Sequence, residues 1–420
     1  MRFRMIFAVL LCCILPVVSG GKELQIIATC DIHGSTENFS RLAPVIRSYP
    51  DAVKIDLGDL FHGDPLCDVT YGAPMIAALN ALKYDIFVPG NHEFELSRDR
   101  FISALSGFDG TLLGQYKCGN LKVLPWKIVE RNGFCCAVIG MTDNGIYRNR
   151  RFYPDFEIIE EIFALDRALA EIRKQKTDAV ILARHGGTYF SGVPAGRVLY
   201  RRPEIDLVIC GHTHKEIAGM RRGRSFFVQP GPFAQSAVLI TLCKNSQRGV
   251  FIRSRLLRPG KYADKTVSAI FKRAYADKRT ELNAGFLPAM PMKDFAEKVL
   301  AALKKSAGTD CAVIDLPEFP EKPLSYREFL KLFPYRNQLL VVNCTAGEYA
   351  AFCRERPPAR RKRFASKIPA GKNEITVVLN TFQLSRSRTF PADKEFRLIP
   401  FIERDVIGRV SNYAETLHNR

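Results

Sequence analysis

Five short segments carry residue types able to hold a cation: Asp31-x-His33, Gly58-Asp59, Gly90-Asn91-His92-Glu93, His185-Gly186-Gly187 and Gly211-His212-Thr213-His214. The chain has 7 histidines, and His33, His92, His185, His212 and His214 fall in these segments. Imidazole, carboxylate and an amide oxygen together suit Zn, Mn or Fe better than Ca or Mg. The adjoining glycines let the backbone turn sharply and approach closely. Singly, each segment says little: Asp-x-His and Gly-Asp arise often by chance, and a lone histidine is usually a satisfied core or surface residue. Their joint occurrence in this order, each behind an apolar run, is the signal.

Those runs are the elements that must position the donors. Leu24–Thr29, Ala52–Leu57, Ile86–Val88, Ala179–Ala183 and Leu207–Cys210 read as short buried strands, and each stops abruptly at one of the five segments. Helical periodicity lies between several of them, as in Met75–Leu82 and Glu160–Lys174. Strands alternating with helices argue an α/β domain, whose carboxyl strand edge is where ligands bind. Phe226–Val228 and Ala237–Ile240, within Arg224–Leu242, read as hairpin strands.

The pattern resembles the calcineurin-like metallophosphoesterase superfamily over residues 24 to about 245. Gly58-Asp59-x-x-x-Gly63-x-Pro65 and Gly90-Asn91-His92-Glu93-Phe94 are similar to the 5'-nucleotidase family in particular. The resemblance implies a four-layer αββα sandwich, two mixed sheets flanked by helices, with a second, smaller α/β domain. It implies two divalent metal ions: Asp31, His33 and His214 on the first, Asp59 bridging, and Asn91, His185 and His212 on the second. His92 would stabilise the transition state or protonate the leaving oxygen, supported by Glu95, where the family has an aspartate. His62 is expected beside the site or on the surface, and Arg184, next to His185, is a candidate phosphate contact.

The style of the sequence changes near residue 257. The expected organisation is a leader over 1–20, a catalytic domain over 21–257, a helical connector over 258–290 and a substrate domain over 291–420. Leu332–Leu339 and Thr345–Tyr349 echo the 5'-nucleotidase C-terminal domain, which supplies that family's nucleoside pocket. Where the family carries a glycine-rich, arginine-containing loop this chain reads Asp315–Pro320, and Gln383–Phe390 replaces a later glycine-rich aromatic stretch. Phe382 or Phe390 could stack a base, and a core role is equally open to either.

Bulk composition sets the remaining bounds. A chain of 420 residues exceeds one small core. Arg2 and Arg4, the apolar run Met5–Val18 and the small residues after it form a secretory leader. Cleavage and release to the periplasm or medium is expected, ahead of a lipid anchor at Cys12 or Cys13. The formal charge of +19 favours anionic substrates or an anionic surface. It comes without the interleaved aromatics or reading helix of a nucleic-acid binder. Cys67 and Cys118 are the better candidates for disulfide pairing, the strand cysteines being read as buried thiols.

The expected function is therefore an exported phosphomonoesterase with a small phosphate ester, nucleotide-like first, as substrate. A phosphodiesterase acting on cyclic or sugar nucleotides would need no change of ligands. A non-catalytic anion-binding protein on the same fold is the alternative of another class.

Overall fold

A computed structural model describes residues 22–408, apart from 191–192, 195–197, 199–200, 246–248, 319–321 and 392. The expected leader over 1–20 lies outside the described residues, as do Phe319, Pro320 and the last residues of the chain. Among the described residues no helix is long and apolar enough to cross a membrane.

Two sheets packed face to face form the first part of the chain. The first has 7 strands, with Lys22–Thr29 third in order and joined in parallel to the central Val53–Asp56, then Ile86–Phe87 and Thr111–Leu113. The second has 6 strands, in which Ala179–His185 lies parallel to Phe134–Thr142 on one side and Leu207–Cys210 on the other. Alternation along the strands sorts their side chains between layers. Leu24, Ile26 and Ala28 join Ile181 and Ala183 between the sheets, whereas Ile27 faces the helices outside. Val180 and Leu182 turn the opposite way, onto helix Glu161–Ile172. The result is four layers, helix, sheet, sheet, helix.

The expected hairpin over Arg224–Leu242 is corrected. Ser225–Gln229 pairs with Ile217–Arg222 and Leu207–Cys210 in the second sheet, while Ala237–Asn245 pairs with Gly249–Leu257 and Lys22–Thr29 in the first. The chain changes sheets between them, so each strand belongs to a different hairpin. Cys67 and Cys118 are likewise corrected: both are buried free thiols.

Helix Lys265–Asn283 packs on the helices of the catalytic part and leads into a third sheet. That sheet has 5 strands, ordered Arg361–Ala365, Cys311–Pro317, Glu374–Asn380, Gln338–Thr345 and Arg397–Ile402. Asp315 to Pro317 therefore continue a strand rather than open a loop. Separate apolar clusters cover its two faces.

Candidate metal centre

Parallel strands of both sheets end at one edge, and the five donor segments sit there. Asp31, His33, Asp59, His212 and His214 all have positive φ, between 48° and 75°. For residues carrying a Cβ this is sparsely populated backbone, the kind of local strain that clusters at functional sites. Gly58 has φ +81°, and a Cβ there would stand 2.0 Å from the Gly90 nitrogen. Only glycine lets these two turns lie against each other.

Glu93 fastens them. One of its oxygens accepts from the main-chain N–H of Asp59 at 2.8 Å and Gly90 at 2.7 Å, the other from Leu60 at 2.8 Å and Phe61 at 3.2 Å. Burial and the neighbouring Asp59 charge push its pKa up, and these donors oppose the rise.

Donor atoms converge in two groups, Asp31, His33 and His214 in one and Asp59, His185 and His212 in the other. His33 Nε2 faces His214 Nε2 at 3.0 Å, and His214 Nε2 lies 3.6 Å from Asp31 Oδ1. His185 Nε2 is 3.2 Å from both Asp59 Oδ2 and Asn91 Oδ1, and His212 Nδ1 is 2.8 Å from the same Asn91 oxygen. Asp59 Oδ2 is also within 3.9 Å of His33 Nε2, which places it between the groups.

A cation about 2.1 Å from each ligand sets neighbouring ligand atoms roughly 3.0–3.4 Å apart, close to several of these separations. The ring orientations agree. His33 turns Nδ1 to the His62 carbonyl at 3.2 Å and His185 turns Nδ1 to the Leu57 carbonyl, leaving Nε2 of both for the cluster. Burial, outweighing the Asp59 charge, lowers the His33 pKa to about 4, whereas burial at His185 is outweighed by the Asp59 charge, which raises that ring to about 9. Burial and then the neighbouring His185 lower His212 too. Burial would raise Asp59, but the surrounding histidines, His185 foremost, hold it well below the usual carboxylate range. The residues present thus fit a pair of divalent cations.

His92 stands beside this cluster, its Nε2 3.9 Å from Asp59 Oδ2 and its Nδ1 2.7 Å from Glu95 Oε1. Burial would depress the His92 pKa, but Glu95 and then Asp59 outweigh it and raise it to about 10. Burial likewise works against Glu95, which His92 pulls down to about 2. His62, His92 and Glu95 form a further close group. The two imidazoles there are stacked 4.2 Å apart and only 10° from parallel, so their ring nitrogens do not converge on a common cation. Tyr335 of the third-sheet domain lies against both rings, its centroid 5.0 Å from His62 and 5.9 Å from His92.

Beyond His92 a cleft of about 940 Å³ opens between the two parts of the chain. Its walls include Asn91, His92 and Tyr153 on one side and Arg361, Phe382 and Arg386 on the other. Phe382 is 40% exposed beneath the Arg386 guanidinium, whereas Phe390 is buried against Phe352. The ambiguity between these two aromatics is resolved by position: Phe382 is a cleft residue and Phe390 a core residue.

Arg184 is not in the site. It is fully buried, its Nε donating to Glu161 and its Nη2 lying 3.3 Å from Asp143. Strand alternation puts Arg184 and His185 on opposite faces, a rule readable from their adjacency. Sequence reasoning passed over the Glu93 clamp, although the residue lay within a quoted motif. It also gave Tyr335 and Arg336 no role at the site.

Comparison with known proteins finds phosphoesterases. Residues 24–216 match the family model described as calcineurin-like phosphoesterase. Human 5'-nucleotidase is 24% identical over 235 residues, covering 47% of this chain and 39% of that protein. The trifunctional nucleotide phosphoesterase protein YfkN of Bacillus subtilis (strain 168) is 23% identical over 241 residues, covering 46% of this chain and 16% of that protein. The chain thus spans well under half the length of these curated relatives. A Staphylococcus aureus protein provisionally named a 5'-nucleotidase superposes with a TM-score of 0.73 at 16% identity, covering 95% of this chain and 97% of that one. That likeness extends the shared fold to the third sheet.

Proposed function

Since residues 24–216 match the calcineurin-like phosphoesterase model and the fold is similar to that of a 5'-nucleotidase-like structure, we propose that the chain hydrolyses phosphate monoesters, nucleotide-like ones first. The observation that carries this reading is the pair of convergent donor groups with the His92–Glu95 couple beside them. Asp31, His33 and His214 would hold one divalent ion and Asn91, His185 and His212 the other, with Asp59 between. Mn, Zn and Fe suit these nitrogen and oxygen donors. Two such ions, when bound, would supply the Lewis acidity that makes hydroxide available near neutral pH and the positive charge that phosphoryl oxygens require.

The chain's own groups do the rest. His92 faces the cluster with a proton on a ring held by Glu95, placed to deliver it to a departing oxygen. The cleft accommodates the group attached to that oxygen, and its volume far exceeds one phosphate. The exposed Phe382 face offers a platform for a planar leaving group. The nucleotide phosphoesterase and 5'-nucleotidase names of the relatives support a nucleotide there. Export under the leader of residues 1–20 belongs to the same proposal, and the N-terminal sequence of protein recovered outside the cytoplasm tests it.

The direct experiment is hydrolysis of p-nitrophenyl phosphate and nucleoside monophosphates after chelation, then with Mn or Zn restored. Activity should return with metal and be absent in Asp59→Asn. Turnover of diesters but not monoesters would overturn the monoesterase reading. Failure to bind metal or turn over any ester would leave an anion-binding protein.

A further inference from the structure

The His92–Glu95 couple is completed from the other domain. Glu95 uses one oxygen for His92, and its second oxygen accepts from the main-chain N–H of Arg336 at 3.2 Å. The Arg336 side chain then crosses back into the catalytic part. It donates to the Asp68 main-chain carbonyl and lies 3.3 Å from the Asp68 carboxylate, with both side chains buried. Its guanidinium also lies over the Tyr71 ring at 4.9 Å. Tyr335, one residue earlier, stacks on His62, which stacks on His92. On its other side the segment is tied to its own domain, since Asn337 donates to Glu403 and accepts from the Glu403 N–H.

We propose that Arg336 is a positioning residue for the proton donor: its buried pairing with Asp68 bolts segment 335–337 in place, so that its N–H holds Glu95 and, through Glu95, the His92 ring. The substrate domain thereby does more than wall the cleft. This rests on the hydrolase reading above. A residue that acts through the proton donor should matter in proportion to how badly the leaving oxygen needs a proton. A residue that only shapes the pocket should not discriminate in that way.

The test uses the full metal-restored protein with p-nitrophenyl phosphate, whose leaving group departs readily unprotonated, and glycerol 2-phosphate, whose alkoxide does not. Arg336→Ala and Asp68→Ala should each lower kcat on glycerol 2-phosphate about tenfold, the scale of one lost hydrogen bond to a charged group. Both should leave p-nitrophenyl phosphate nearly unchanged, with KM steady throughout. Arg336→Lys, which can still reach Asp68, should restore part of the loss. Adding Arg336→Ala to Glu95→Gln should cost nothing more. Equal slowing of both esters, a change confined to KM, or additivity with Glu95→Gln would overturn the proposal.

A second readout is independent of turnover. The hydrogen-bonded Nδ1 proton of His92, identified in nuclear magnetic resonance spectra by its loss in His92→Asn, should exchange faster with water in Arg336→Ala. An unchanged ring proton overturns the bolt even if the protein turned over no ester at all.

Discussion

Replacing Glu93 with glutamine changes one atom, yet it should loosen the whole metal edge. In the native arrangement each carboxylate oxygen accepts two main-chain N–H groups, Asp59 and Gly90 on one, Leu60 and Phe61 on the other. A glutamine keeps one oxygen and presents an amino group at the second position. Whichever way the amide is turned, two buried donors then meet a donor. A buried polar group without its partner costs about 1–3 kcal/mol, so Glu93→Gln should lose about 2–6 kcal/mol from the catalytic part. The cost falls on the two turns that carry Asp59 and Asn91, so metal affinity should fall with it. Urea denaturation of the metal-free protein gives the stability term, and amide exchange at Asp59, Leu60, Phe61 and Gly90 locates it. A variant within about 1 kcal/mol of wild type, with native protection at those four amides, would refute the reasoning, because a single lost bond already accounts for that much.

Other outcomes follow from the same geometry. Glu161→Ala should destabilise by about 3–5 kcal/mol, since it leaves the buried Arg184 guanidinium without its main carboxylate; thermal melting with and without Arg184→Met in the same chain measures it, the double variant being the milder. Phe382→Ala should raise KM for an aryl or nucleoside phosphate severalfold while leaving kcat near wild type, as expected for a contact made equally in ground and transition states. Divalent cation at about 100 times its Kd should add about 2.7 kcal/mol of stability per site, read as a rise in melting temperature that is reduced or lost in Asp59→Asn.

What could be read in the sequence was what is local. An apolar strand followed at once by a donor-bearing turn is a feature of some ten consecutive residues, and the strands behind Asp31, Asp59, Asn91, His185 and His212 could be recognised for that reason. Their destination at one edge follows from parallel α/β topology. The Tyr335 and Arg336 contacts are of another kind: Arg336 meets Asp68 across 268 positions, and nothing near either residue announces the other. The sheet change between Gln229 and Ala237 was hidden for a similar reason, since two β-rich runs separated by a turn look alike whether they pair or part. Arg184 shows the opposite case. Its neighbour His185 drew it toward the phosphate, although strand alternation already turns it toward helix Glu161–Ile172.

Because Asp31, Asp59 and Asn91 hang from one sheet and His185, His212 and His214 from the other, the apolar layer between the sheets works as a jig. Its side chains set the gap across which the two halves of the cluster must register, and a shift of about 1 Å is already large at catalytic geometry. Trimming a residue in that layer, as in Ile181→Ala, should therefore weaken cation binding measured by calorimetry while the chain still folds. Tolerance to substitution in this core would then be set by alignment before it is set by stability.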